Sequence, residues 1–143
     1  MRRLLALLLG LCALLIAAGC GEGGAASGAT VSVYMAAPLC GQASGGPAGD
    51  LKVRLVCLPP VERRGKVDLA AAGAGARRAT EDSTTVAFVE APGPAAEFSH
   101  SIVDAADIAW IETGSGSQAM KRIFAALDED SSTPRQAVLD EVG

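Results

Sequence analysis

Apolar positions in this chain recur at two periods, two and about four residues, and segments of each kind alternate along it. "VSVYMAAP" (31–38) is a short strand running into a proline-containing loop. "LKVRLVCL" (51–58) sets Leu51, Val53 and Leu55 against Lys52 and Arg54 before turning wholly apolar. One charged face places such a strand near a sheet edge. "PPVERRGK" (59–66) is a breaker and a loop. "VDLAAAGAGARRATED" (67–82) has the composition of a helix, although Gly73 and Gly75 each cost about 1 kcal/mol relative to Ala. Their smallness suits close packing against a sheet. "TTVAFVE" (84–90) is apolar on both faces, as in a central strand covered from both sides.

Pro94 is placed to open the next helix, which presents Phe98, Ile102 and Ala106 four residues apart. "DIAWIE" (107–112) is a fourth strand and "TGSGS" (113–117) a flexible loop. "QAMKRIFAALDE" (118–129) brings Met120, Ile123, Phe124 and Leu127 onto one helical face. "TPRQ" (133–136) has the form of a capping box, with Thr133 as N-cap, Pro134 at N1 and Gln136 at N3. Strands alternating with helices predict an α/β three-layer sandwich around a small, mostly parallel sheet of about four strands. "LCGQASGGPAGD" (39–50) leaves no room for a crossover helix between the first two strands. Either that connection is extended, or the first strand pairs differently.

The start of the chain has a different character. "MRRLLALLLGLCALLIAAGC" has two arginines, an apolar run from Leu4 to Ala18 and small residues before Cys20, the layout of a secretory leader. Its ending, "AAGC", resembles a bacterial lipobox. That resemblance implies removal of residues 1–19, lipidation of Cys20 and residues 20–30 as a Gly/Ser/Ala-rich tether. An ordinary cleaved leader or a single membrane anchor is the alternative. The expected domain is then residues 31–143, held by lipid on the extracytoplasmic face of a membrane. Without Arg2 and Arg3, ten basic residues stand against sixteen acidic ones, a balance of −6 that argues against a nucleic-acid partner. Cys40 and Cys57 remain as an even pair in an oxidising compartment, available for a disulfide. With one histidine and no Cys-x-x-Cys, a zinc site has little to build on, and no cofactor is expected.

"ARRATEDSTTVAFVEAP" (76–92) resembles the centre of the first lobe of branched-chain amino acid ABC-transporter binding proteins, the type I periplasmic binding fold. "VSVYMAAPLCG", "DLKVRLVCL" and "FSHSIVDAADIAWIETGSGS" resemble that lobe's other strands in the same order, and the tail from Gln118 resembles its C-terminal helices. The family's first long helix is missing between Cys40 and Asp50, and its second lobe between Gly114 and Gly116. The resemblance implies a non-enzymatic role, presenting a small amino acid to an ABC permease. It places the ligand's ammonium and carboxylate on the loops "EAPGPAAE" and "TGSGS", that is on Gly93, Thr113, Ser115 and Ser117. The family's serine near position 93 is replaced here by Pro-Gly-Pro, and Pro92 and Pro94 remove two N–H donors. With one lobe supplying half a cleft, the other expectation is a binding-incompetent interaction module whose partner is a permease, another binding protein or itself.

Other candidate chemistry is thin. Ser99, His100 and Asp104 on one helix are expected as a solvent-facing stripe, since adjacent side chains diverge. Glu90 and Glu112 are expected as solvated loop carboxylates. "TGSGS" lacks the lysine of a phosphate-binding loop. Asp128, Glu129 and Asp130 lack a calcium-loop pattern. Trp110 is expected in the core.

Overall fold

Five of the strands form one sheet, in the order β2-β3-β1-β6-β7. The computed structural model describes residues 28–142; the leader, Cys20 and most of the tether lie outside the described residues. The strands of this sheet are β1 (Thr30–Met35), β2 (Gly46–Ala48), β3 (Leu51–Cys57), β6 (Thr85–Glu90) and β7 (Ala109–Glu112). Strands β3, β1, β6 and β7 are mutually parallel, and β2 runs antiparallel to β3 at the edge. Four helices flank the sheet: α1 (Leu69–Glu81), α2 (Pro94–Asp104), α3 (Gly116–Glu129) and α4 (Pro134–Val142). The fold is an α/β three-layer sandwich, as the alternation of periods predicts.

The short connection after β1 is extended. It makes one 3₁₀ turn at Leu39–Gln42 and returns as β2, so that β3 lies parallel to β1 without a crossover helix. The Cys40–Cys57 disulfide, with Cα atoms 5.7 Å apart, ties this return to the end of β3. Gln42 holds it from the other side, its Oε1 accepting from the Gly116 N–H at 3.2 Å. A bulge between β1 and β6 turns both Val86 and Ala87 into the core beneath α3 and α4.

That first face is aliphatic. Val33, Met35, Val53, Val89, Ile123, Leu127 and Val138 are all almost wholly buried there. The second face, under α1 and α2, is smaller and holds Tyr34, Leu58, Phe88 and Val103, with Trp110 partly buried beside them. Helix α1 is capped by Asp68, whose Oδ1 accepts from the Ala71 N–H at 3.0 Å. Its Gly73 serves a helix–helix contact rather than the expected helix–sheet one: a Cβ there would come within 2.8 Å of Phe98 on α2.

Local chemistry departs from expectation at three places. Residues 59–66 are not all loop and Val67 does not open the helix; β4 (Glu62–Arg63) and β5 (Lys66–Val67) form a small hairpin. Arg64 and Gly65 both have positive φ, as a tight two-residue hairpin turn requires. "TGSGS" is half helix, with Ser115 as N-cap of α3 and Gly116 its first residue. The capping box at 133–136 does not form. Thr133 donates its hydroxyl to Asp130 Oδ2 at 2.8 Å, and Gln136 donates to Asp140 at 2.7 Å. Asp130 also accepts from Ser132, and these bonds hold its carboxyl down at about 2.

Candidate functional site

In open parallel sheets, the chain leaves neighbouring strands in opposite directions at one point, and ligands sit in the crevice outside the carboxyl ends there. Here that point falls between β1 and β6, because β3 lies on one side of β1 while β6 and β7 lie on the other. A cleft of about 300 Å³ occupies the position. Its walls are Ala36–Pro38 after β1, Ala91–Ala95 after β6, and the Pro60–Glu62 and Val67 parts of the hairpin. A second hollow of about 230 Å³ adjoins it, sharing Ala36, Val61 and Glu90. The second hollow is apolar, with Leu58, Ala72 and Gly75 on its walls and Arg78 at its margin.

Glu90 is the charged residue common to both hollows and is 4% exposed. As the last residue of β6 it alternates to the second face, two residues beyond Phe88. Ser99 Oγ donates to its Oε1 at 3.1 Å, and Trp110 Nε1 donates to its Oε2 at 3.3 Å. Burial raises its pKa, the two donors oppose that rise, and Glu112, its partner across the β6–β7 ladder, adds to it. His100 stacks on the Trp110 ring, centroids 4.2 Å apart, and so covers the outer side of the assembly. Each carboxylate oxygen has one donor and retains capacity for another. What such a group accepts best is an N–H from a cationic head. The lining of the 300 Å³ cleft contains no hydroxyl, thiol, imidazole or amine side chain.

These positions correct two expectations. Glu90 is not a solvated loop carboxylate, whereas Glu112 is exposed as expected. Ser99 is fully buried and belongs to the inner face of α2 with Ala96 and Val103, while His100 is exposed. The second departure has a pattern in the sequence, since 96, 99 and 103 form a helical stripe.

The four residues expected to hold a ligand divide into two places. Gly93 lines the cleft and precedes α2, with a φ of 149° that suits glycine. Thr113, Ser115 and Ser117 do not line it. Ser115 Oγ accepts from the Gln118 N–H at 3.3 Å and pairs with Ser117 Oγ at 3.1 Å, while Thr113 Oγ1 accepts from the Ser115 N–H at 3.1 Å. Their hydroxyls close the first turn of α3. On α2 no side chain caps the first turn, and Pro94 supplies no N–H.

A larger hollow, about 1070 Å³, lies at the opposite end of β1 and β6. Its guanidinium, Arg135, gives two of its five N–H groups to the carbonyls of Thr85 and Ser83 at 3.1 and 3.2 Å. Nearby, Asp82 accepts from Tyr34, Arg54 and Thr84, and Arg54 also donates to Ser32. Burial works against the charge of Asp82, but the bonds from Thr84 and Tyr34 and the Arg54 guanidinium outweigh it and lower its pKa. That cluster satisfies itself and buckles the second face to the end of α1. Among the described residues no group of three or more His, Cys, Asp or Glu side chains could hold a metal ion.

No protein-family model, no curated protein and no solved structure matches this chain. The likeness to binding-protein lobes therefore rests on the residue pattern alone.

Proposed function

We propose that this chain is a membrane-anchored extracytoplasmic lipoprotein whose domain is a reduced solute-binding lobe, non-enzymatic and linked to ABC transport. The observation that carries the reading is Glu90, a buried carboxylate at the floor of the crevice where open parallel sheets bind ligands. A small amino acid fits that chemistry by its ammonium, with its aliphatic part in the hollow beside Leu58 and Gly75. Its carboxylate has less to meet, since Pro92 and Pro94 lack N–H groups and Ser115 caps α3. Binding is accordingly weak. Cys20, outside the described residues, is the proposed lipid attachment; among the described residues no helix is long and apolar enough to cross a membrane.

Two measurements test this reading. Metabolic labelling with a fatty-acid analogue is expected to mark the native chain and not the Cys20→Ser form. A thermal melt over an amino-acid panel is expected to rise for one aliphatic member, by an amount that grows with concentration. A chain that takes no lipid, or a melt that no amino acid moves, counts against the respective half.

The second reading, an interaction module without a solute, is favoured by one observation. Val67, Leu69 and Phe98 are about 40% exposed, and Val67 stands at the rim of the cleft.

A further inference from the structure

The three large apolar side chains that remain exposed among the described residues share one neighbourhood. Val67 ends the hairpin, and Leu69 opens α1 two residues later. Leu69 and Gly73 lie one turn apart on the same stripe of α1, and the Phe98 ring from α2 packs over Gly73. The result is a short apolar strip running from the cleft rim across the α1–α2 seam.

Charge is distributed unequally about this strip. At the hairpin end stand Arg63, Arg64 and Lys66, three cations in four residues of a chain that is otherwise acidic. On α2, Glu97 and Asp104 follow the spacing i, i+7 along an exposed face beside Phe98. None of these five groups forms an ion pair with another described residue; the pairs present are Arg54–Asp82 and Arg122–Glu141. Glu62 in the hairpin and Arg77, whose Nη1 lies over Gly73 with the Phe98 ring, are minority charges; an apolar centre with a net excess of cations on one side and of carboxylates on the other is complementary to itself under a two-fold rotation. A partner of a single charge sign would meet repulsion on one half of it.

We propose that this strip is a two-fold contact between two copies of this chain, the basic hairpin of each lying on the acidic face of the other's α2. Val67 and Glu62 line the cleft, so a second copy seated here would stand against its open side and supply the wall that one lobe lacks. The inference names the partner for the interaction reading above and rests on that reading. It does not depend on a solute being bound.

The test compares three forms of the full chain in detergent, their mass read by light scattering with the micelle subtracted. The native form is expected to dimerise at micromolar concentration. Arg63→Glu with Lys66→Glu, and separately Glu97→Lys with Asp104→Lys, are each expected to weaken self-association about tenfold or more. Mixing the two reversed forms restores it, because each charge-reversed hairpin then meets a charge-reversed α2 while the two native halves also pair. A monomeric native chain, reversed forms that still dimerise, or a mixture that stays monomeric would each overturn the proposal. Should a reversed form lose its cooperative melt, the milder Lys66→Gln and Glu97→Gln forms are read in its place. The amino-acid melt repeated on a monomeric form separates the two readings: a retained ligand shift leaves solute binding standing if the dimer fails, and an absent shift leaves the dimer standing without it.

Discussion

The two faces of the sheet are built on different terms. Among the described residues, the face under α3, α4 and the β1–β3 return buries nineteen in one cluster, all of them aliphatic, methionine or cysteine. The face under α1 and α2 buries seven, including Tyr34 and Phe88, and carries the buried Glu90 and Ser99 as well as the Asp82 cluster. One face provides cohesion through area removed from water. The other gives up part of that area to polar groups held at its two ends, and the cleft lies at one of them. Substitutions on the two faces should therefore differ in size, in pH dependence and in whether a ligand signal notices them.

The largest effect is expected on the aliphatic face. Ile123→Ala removes a fully buried side chain and should cost about 2–5 kcal/mol in a urea melt. Such a loss is a large part of the total stability of a domain this size. A loss below 1 kcal/mol would mean that α3 is not packed as described. The disulfide comes next. Cys40→Ser with Cys57→Ser opens a loop spanning 17 residues and should cost roughly 3 kcal/mol in the same melt. It frees the return that forms the edge of this face and directly follows the Ala36–Pro38 wall of the cleft.

Effects on the polar face are smaller and depend on pH. Asp82→Asn should cost about 1–2 kcal/mol near neutrality. The native pKa of Asp82 is depressed, so its contribution is present above the ordinary value of 3.8 and lost as pH falls through the depressed native value. Native and variant stabilities should accordingly converge in acid. Glu90→Gln should behave in the opposite sense. The native pKa of Glu90 is raised, so the native state bears a penalty once pH exceeds that raised value and none below the ordinary 4.5. At neutral pH the variant should match or exceed native stability, by about 1 kcal/mol at most, and the gap should close in acid. A pH-independent loss would make Glu90 a structural anchor rather than a charge kept for a ligand.

The same division explains what could be read from the chain. The aliphatic face was legible because the apolar pattern alone specifies it: "VAFV" (86–89) is apolar at every position, and 120, 123 and 127 line up on one helix. The paired cysteines were legible from composition. The return through 39–50 was only half legible, because Gly46–Ala48 contains a proline and pairs at an edge, where β-patterning is weakest. The polar face resisted because a buried carboxylate and a solvated one look alike until their partners are known. Glu90 needs Ser99, nine residues on, and Trp110, twenty residues on. Thr113, Ser115 and Ser117 were hard to read in the other direction: hydroxyls in a glycine-rich loop suggest free donors, but Ser115 caps the following helix, Thr113 accepts from the Ser115 N–H and Ser117 pairs with the Ser115 hydroxyl. Thr133 had the pattern of a cap, yet Asp130 competes for its hydroxyl.

The most direct test of the central claim uses Trp110, whose indole N–H is bonded to Glu90 and which is the chain's one tryptophan. Its fluorescence would be titrated with small aliphatic amino acids in the native chain and in Glu90→Gln. The account predicts a saturable change for an amine-bearing solute in the native protein, lost or weakened at least about tenfold in the variant. An identical response in both forms, or none in the native protein with any solute, would contradict it.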